Sequence, residues 1–149
     1  MGELDIRELT EADLDALLAL YRHLHAEDEP LPARPQVEAL WARLCASPDH
    51  LYRGGFGGGE LLASCCAAIV PNLTRGIRPY AVIENVVTHA EHRGRGHGSA
   101  VLQSLLSSCW DRACYKVMLL SAAQRDAAHR FYEANGFDRH AKQGFILRK

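Results

Sequence analysis

The sequence predicts an α/β (α+β) fold: one domain with a mixed, mostly antiparallel twisted sheet of about six to seven strands and about four helices on both faces. Three observations predict it. The chain has 149 residues, 48% of them apolar, enough for one core and few for two ordinary domains. Strand-like and helix-like hydrophobic periods alternate along the chain, with no internal repeat, low-complexity tract or linker. Two continuous apolar runs, YAVIENVVTH at 80–89 and KVMLLS at 116–121, flank one amphipathic segment. That order makes them parallel neighbours joined by a right-handed crossover.

The opening LDIREL alternates apolar and polar residues and reads as a strand over about residues 3–8. Thr10 and Asp13 then form a capping pair, and Leu14, Leu17, Leu18, Tyr21 and Leu24 carry a helix to about His25. Residues 27–35 hold Glu27-Asp28-Glu29 and three prolines, so they form a loop. A second helix starts with Pro35 at its first position, presents Val37, Leu40, Trp41 and Leu44, and stops before Pro48. Residues 50–56 and 60–70 read as strands joined by a glycine-rich turn, GGFGGG. No helix pattern follows that run and GxxxxGK[ST] is missing, which argues against a phosphate cradle there.

A loop from Pro71 to Pro79 leads into the strand at 80–89, apolar at nearly every position and therefore central in the sheet. HRGRGHGS opens a helix whose face is Val101, Leu102, Leu105, Leu106, Cys109 and Trp110, ending near Ala113. After KVMLLS, a fourth helix spans about Asp126 to Ala134. Asn135-Gly136 ends it, with Phe137 placed to pack back on its last turn. The tail from Phe137 onward is expected to form one or two short strands.

Charge and cysteine usage narrow the function. Lys and Arg number 17 against 18 Asp and Glu, so no global field draws the chain to nucleic acid or an anionic membrane. No apolar run approaches the roughly 20 residues that span a bilayer, and the N-terminus lacks a signal-peptide pattern, so a cytoplasmic location is expected. Cys45, Cys65, Cys66, Cys109 and Cys114 are odd in number and lie in apolar stretches. They read as reduced core residues. His89, His92 and His97 lie near one another without HExxH or a carboxylate cluster, so no metal site is expected.

Any charge that matters is therefore local. Arg93-Gly94-Arg95-Gly96-His97-Gly98-Ser99 lies between a central strand and a helix. Glycines let backbone N–H groups approach a ligand, the first amides of a helix lack intrahelical partners, and Arg93 and Arg95 add charge. The segment reads as a phosphate or pyrophosphate site. The dinucleotide fingerprint GxGxxG fails, because its third glycine falls on Ser99 or Val101.

Arg93-x-x-Gly96-x-Gly98 matches the R/Q-x-x-G-x-G/A signature of the N-acetyltransferase family known as GNAT. IENVVTH resembles that family's fourth strand, and HRFYEANGF its other characteristic segment. The order of elements over nearly the whole chain is also similar. The resemblance implies a GNAT-like fold with acetyl-coenzyme A as co-substrate, no metal, and Arg93 through Ser99 holding the pyrophosphate. It implies further that the fourth strand carries a bulge and splays from the fifth, so that the pantetheine arm pairs with Val86, Val87 and Thr88. A backbone N–H near Asn85 or Val86 would polarise the thioester carbonyl.

Tyr132 aligns with the family's tyrosine that protonates the departing thiolate. Ala128, Phe131, Tyr132 and Asn135 share one helix face, where a hydroxyl needs a partner. Glu84 is the one ionisable residue in AVIENVV. Burial would raise its pKa and make it the base that deprotonates an ammonium substrate; a solvent-facing carboxylate, or one paired with Arg78, fits the same pattern. Arg125 stands where many members carry asparagine.

The reaction implied is direct acetyl transfer to a primary amine, most simply of a small molecule. The alternative is a non-catalytic acyl-coenzyme A sensor or regulatory module. Glu27-Asp28-Glu29 would suit a cationic acceptor or is a solvated loop, whereas Arg75 and Arg78 would suit a carboxylate or phosphate on the acceptor. A homodimer is an analogy with the family.

Overall fold

The computed structural model describes residues 2–149, which fall into two compact units, the first ending at Met118 and the second being Leu119–Lys149. The first unit holds β1 (Asp5–Glu8), a 3₁₀ turn (Glu11–Asp13), α1 (Leu14–Tyr21), α2 (Arg34–Ala46), β2 (His50–Gly57), β3 (Glu60–Val70), α3 (Thr74–Ile77), β4 (Tyr80–Thr88), a second 3₁₀ turn (Ala90–His92), α4 (His97–Asp111) and β5 (Val117–Met118). The second unit holds α5 (Asp126–Ala134). The sheet order is β1-β2-β3-β4-β5, antiparallel as far as β4, with β4 and β5 parallel. The mixed, mostly antiparallel sheet is as expected, with five strands among the described residues rather than six to seven.

The start of α1 is built by the expected pair. The Thr10 amide donates to Asp13 Oδ2 at 2.7 Å, and Arg7, which the sequence pattern did not single out, donates to both Asp13 oxygens at 2.8 and 2.9 Å. Asp13 is buried, and its hydrogen bonds with Arg7 lower its pKa to about 2 against the opposing cost of burial.

Two cores cover the sheet. Leu9, Leu14, Leu17, Leu20, Trp41, Leu61 and Val87 form the cluster beneath α1 and α2. On α4, Val101, Leu102, Leu105, Leu106 and Cys109 are buried. That the two lie on opposite faces follows from strand alternation. A Cβ on Gly54 would strike Leu9 and Leu61, whereas one on Gly55 would strike Val101 of α4 and Leu4. β3 is buried continuously from Leu61 to Ala67 because it is covered on both sides.

GGFGGG is only partly the turn that was expected. Gly54 to Gly57 belong to β2 and pair with β3, and Gly58-Gly59 alone make the reversal, both with positive φ as a two-residue hairpin requires. Strand-breaking composition was overridden by close packing.

In the second unit, α5 occupies the expected residues and ends by the expected device. Phe137 N–H donates to Tyr132 O at 3.1 Å and Gly136 N–H to Glu133 O at 3.0 Å, with Gly136 at φ 95°, a Schellman ending. The Phe137 ring lies 5.9 Å from that of Tyr132. Two other expectations fail. Only Val117 and Met118 of KVMLLS form strand, pairing with Ala81 and Val82. The tail forms none: Phe145, Ile146 and Leu147 are 89%, 64% and 100% exposed, because apolar character makes a strand only where a ladder partner exists.

Candidate active site

The decisive local feature is in β4. Ser64 pairs with Val87 and Cys66 with Glu84, so two steps along β3 are matched by three along β4. The extra residue makes a bulge around Asn85, whose φ of 53° is a left-handed conformation that asparagine tolerates better than β-branched neighbours do. Since β5 pairs only with Ala81 and Val82, β4 beyond Val82 has β3 as its sole ladder partner among the described residues. Peptide groups of its later half are thereby released from regular pairing, Val86 and Thr88 being half-buried and Val87 buried.

A polar cluster fixes the bulge from below. The Cys66 thiol donates to Glu84 O at 3.3 Å, and Asn85 Nδ2 lies 4.0 Å from Cys66 Sγ. Burial raises the Cys66 thiol to about 11, which keeps it protonated and a donor. Tyr21 and Tyr52 hydroxyls are likewise pushed up by burial, Tyr21 while hydrogen-bonded to Asn85 and Tyr52 beside Cys66. Tyr21 was legible only as an apolar-face residue of a helix and Tyr52 only as part of the strand at 50–56; their polar role arises from elements distant in sequence.

Glu84 departs from expectation in one respect. It is exposed, the solvent-facing of the two placements that the sequence allowed, not buried among apolar residues.

The glycine loop lies where expected. Gly96 caps α4 with φ 83°, and no side chain caps the helix, so the backbone itself is offered to an anion. Nothing lies within 4 Å of the position a Cβ would take on Gly94 or Gly96. Arg93 is a strut as well as a charge: its Nε donates to Thr88 O at 3.3 Å and its Nη2 to His23 O at 2.9 Å, tying the end of α1 to the loop. Arg95 Nη1 lies 3.4 Å from His92 Nδ1. His23, His89, His92 and His97 form a row with successive ring centroids 4.0, 5.3 and 6.1 Å apart. Burial first, and then His89 and Arg93, lower the pKa of His23. An uncapped helix start with a left-handed glycine and flanking cations fits a pyrophosphate.

Tyr132 lies on α5 in the second unit, half-buried, its ring 5.2 Å from Phe131 and 5.9 Å from Phe137. A cavity of about 390 Å³ borders it, lined also by Ser121, His129 and Phe137. Ser121 Oγ is buried without a hydrogen-bond partner. Arg125 is exposed and precedes α5 as its N-cap residue, without a side-chain capping bond.

Comparison with known proteins gives a concordant result. The profile of the Acetyltransferase (GNAT) family matches residues 14–137, running from α1 through Phe137. Glucosamine 6-phosphate N-acetyltransferase of Trypanosoma brucei brucei is 31% identical over 150 aligned positions, covering 95% of this chain and 93% of the relative. A solved structure from Agrobacterium tumefaciens str. C58, described as an acetyltransferase by assignment, is 39% identical and superimposes with a TM-score of 0.90 over 97% of this chain and 99% of its own. A structure from Bacillus halodurans C-125 described as a transcriptional regulator is 25% identical, with a TM-score of 0.86 over 99% and 100% of the two chains.

Proposed function

Because the chain belongs to the Acetyltransferase (GNAT) family and is an acetyl-coenzyme A-dependent N-acetyltransferase, we propose that it acetylates the primary amine of a small acceptor of amino-sugar type, by direct attack with both substrates bound. The observation that carries this reading is the bulge at Asn85 in a strand that loses its β5 partner after Val82 and leads directly into the glycine loop. The name of the trypanosomal relative supports the acceptor class.

In this reading the coenzyme supplies an activated acyl group as a thioester. Arg93, Gly94, Arg95, Gly96, His97, Gly98 and Ser99 hold its pyrophosphate, through helix-start amides and fixed positive charge. Val86, Val87 and Thr88 hold the pantetheine arm through strand peptide groups that β5 does not use. The N–H of Asn85 or Val86 is the donor to the carbonyl oxygen on which negative charge develops. Glu84, exposed at the bulge, takes the proton that the ammonium must lose before it attacks, directly or through water. Tyr132 donates its phenolic proton to the departing sulfur.

A second reading, a non-catalytic acyl-coenzyme A-binding regulator, draws support from the Bacillus halodurans structure. Thiol release measured across a panel of amines separates the two. The enzyme releases one thiol per amine acetylated; tight coenzyme binding without amine-dependent thiol would favour the regulator. On the active enzyme, Tyr132→Phe is expected to lower kcat roughly a hundredfold with little change in KM for the coenzyme. Unchanged turnover would remove Tyr132 from the mechanism. Glu84→Gln is expected to flatten the rise of kcat/KM with pH; a profile of unaltered shape would assign the proton to another acceptor.

A further inference from the structure

At the opposite end of β4 from the glycine loop, three cations surround two tyrosines. The Arg75 and Arg78 guanidinium carbons lie 5.9 and 5.6 Å from the centroid of the Tyr115 ring. Lys116 Nζ lies 5.3 Å from the same centroid and 5.2 Å from that of Tyr80. The two tyrosine rings meet edge to face at 6.4 Å. Among the described residues, none of the three cations has a carboxylate within ion-pair distance, although acidic residues are as numerous as basic ones in the chain. Cation–π contact at these half-buried rings offsets only part of such crowding.

The backbone that presents the arginines is itself strained. Arg75, Gly76 and Ile77 have φ of 55°, 68° and 56° in succession, and a β-branched residue in that region is an outlier. Arg78 Nε donates to Arg75 O at 2.9 Å, which holds the two arginines in one turn. Tyr115 N–H donates to Pro79 O at 2.9 Å and Ala81 N–H to Lys116 O at 3.1 Å, which docks Lys116 beside that turn. Strain of this kind persists where the surroundings over-determine it, and it concentrates at ligand clamps. Unpaired like charges held together by a strained turn are a receptor for an anion.

We propose that Arg75, Arg78 and Lys116, arrayed around Tyr80 and Tyr115, form a binding site for a phosphate monoester carried by the acceptor. A phosphate monoester matches the site better than a carboxylate does, because it brings close to two negative charges and three strong acceptor oxygens to three separate donors. The site is distinct from the pyrophosphate loop: Tyr80 and Thr88 bound a nine-residue strand, which puts roughly 25 Å between the two ends. Glu84 lies four steps along the strand from Tyr80, roughly 13 Å, a span that an arginine side chain and a monosaccharide phosphate cover together. The assignment of this anion to the acceptor rests on the acetyltransferase reading above; the anion site itself does not.

Two measurements test it. With the protein saturated with coenzyme A, so that the glycine loop is occupied, calorimetric titration with inorganic phosphate is expected to show one further site. Its affinity should fall roughly tenfold to a hundredfold in Arg78→Gln and in Lys116→Gln, with coenzyme affinity unchanged. In turnover, Arg75→Gln and Arg78→Gln should raise KM at least tenfold for a hexosamine phosphate. KM for the unphosphorylated hexosamine and kcat for both should stay within twofold, and Arg78→Lys should recover most of the loss. Phosphate binding that survives all three glutamine substitutions, or KM values that move equally for both acceptors, would overturn the proposal. If no amine is acetylated while phosphate binding still depends on these residues, the acceptor reading fails and the anion site stands.

Discussion

Two glycine-rich stretches, GGFGGG at 54–59 and GRGHG at 94–98, use their glycines for opposite reasons. At Gly55 the space is already taken: a Cβ would lie 2.7 Å from Val101 Cγ2 and 2.8 Å from Leu4 Cδ2, inside a core where Val101 is 1% exposed. At Gly96 the space is empty, since nothing lies within 4 Å, and the constraint is a φ of 83° at the uncapped start of α4. The first glycine lets a strand and a helix approach each other; the second lets something outside the chain approach the helix. Composition alone does not separate a scaffold glycine from a site glycine, but what a side chain would meet does.

Gly96→Trp tests the contrast most severely. The new side chain meets no protein atom where its Cβ starts, so the loss of stability is confined to backbone strain of about 1–2 kcal/mol. Coenzyme A affinity is expected to fall a hundredfold or more, as several charge-assisted hydrogen bonds to one phosphate group are lost together. Affinity by calorimetry and stability by urea unfolding read the two effects separately. A large stability loss with retained affinity would show Gly96 to be a scaffold residue. Gly55→Ala is the reverse experiment. One methyl group forced against the stiff side chain of Val101 costs about 1–3 kcal/mol, while the folded fraction should bind coenzyme as the parent does. Weakened binding with unchanged stability would dissolve the distinction.

The same contrast explains what was legible beforehand. Local chemistry was legible: Thr10 and Asp13 at the start of α1, Asn135-Gly136-Phe137 at the end of α5, and the loop Arg93 to Ser99 all depend on residues within a few positions of one another. The parallel pairing of β4 and β5 was legible from the helix between them, although only Val117 and Met118 take part. Features made by distant segments were not. The bulge at Asn85 depends on Cys66 and Tyr21, the strut of Arg93 reaches back to His23, and Lys116 reaches the Tyr80 ring through backbone hydrogen bonds to the segment Pro79–Ala81. Glu84 shares a face of β4 with the half-buried Tyr80 and Val82, opposite the buried Ala81 and Ile83, and is exposed there, a distinction that a run apolar at nearly every position does not display. The tail fails as strand for a related reason: apolar pattern is a property of a segment, pairing a property of two.

Ala113 supplies the smallest and most diagnostic test. It follows the last turn of α4 with φ 59°, its N–H donating to Trp110 O at 2.9 Å and that of Cys114 to Cys109 O at 3.2 Å, the same ending that α5 makes with Gly136. Here an alanine bears the strain that a glycine bears elsewhere. Ala113→Gly removes a left-handed penalty of about 1–2 kcal/mol and adds back about 0.5–1 kcal/mol of backbone entropy. Stability should therefore rise by about 0.5–1 kcal/mol, a Tm gain of roughly 1–4 °C for a chain of this length, with turnover unchanged. This sharpens the comparison, because the chain tolerates alanine at a positive φ where only its own backbone is concerned. Positive φ then does not by itself require glycine, and the glycine at 96 answers to what approaches α4 from outside. A destabilised Ala113→Gly would mean that left-handed strain is negligible in this fold, and the argument from φ at Gly96 would fall with it.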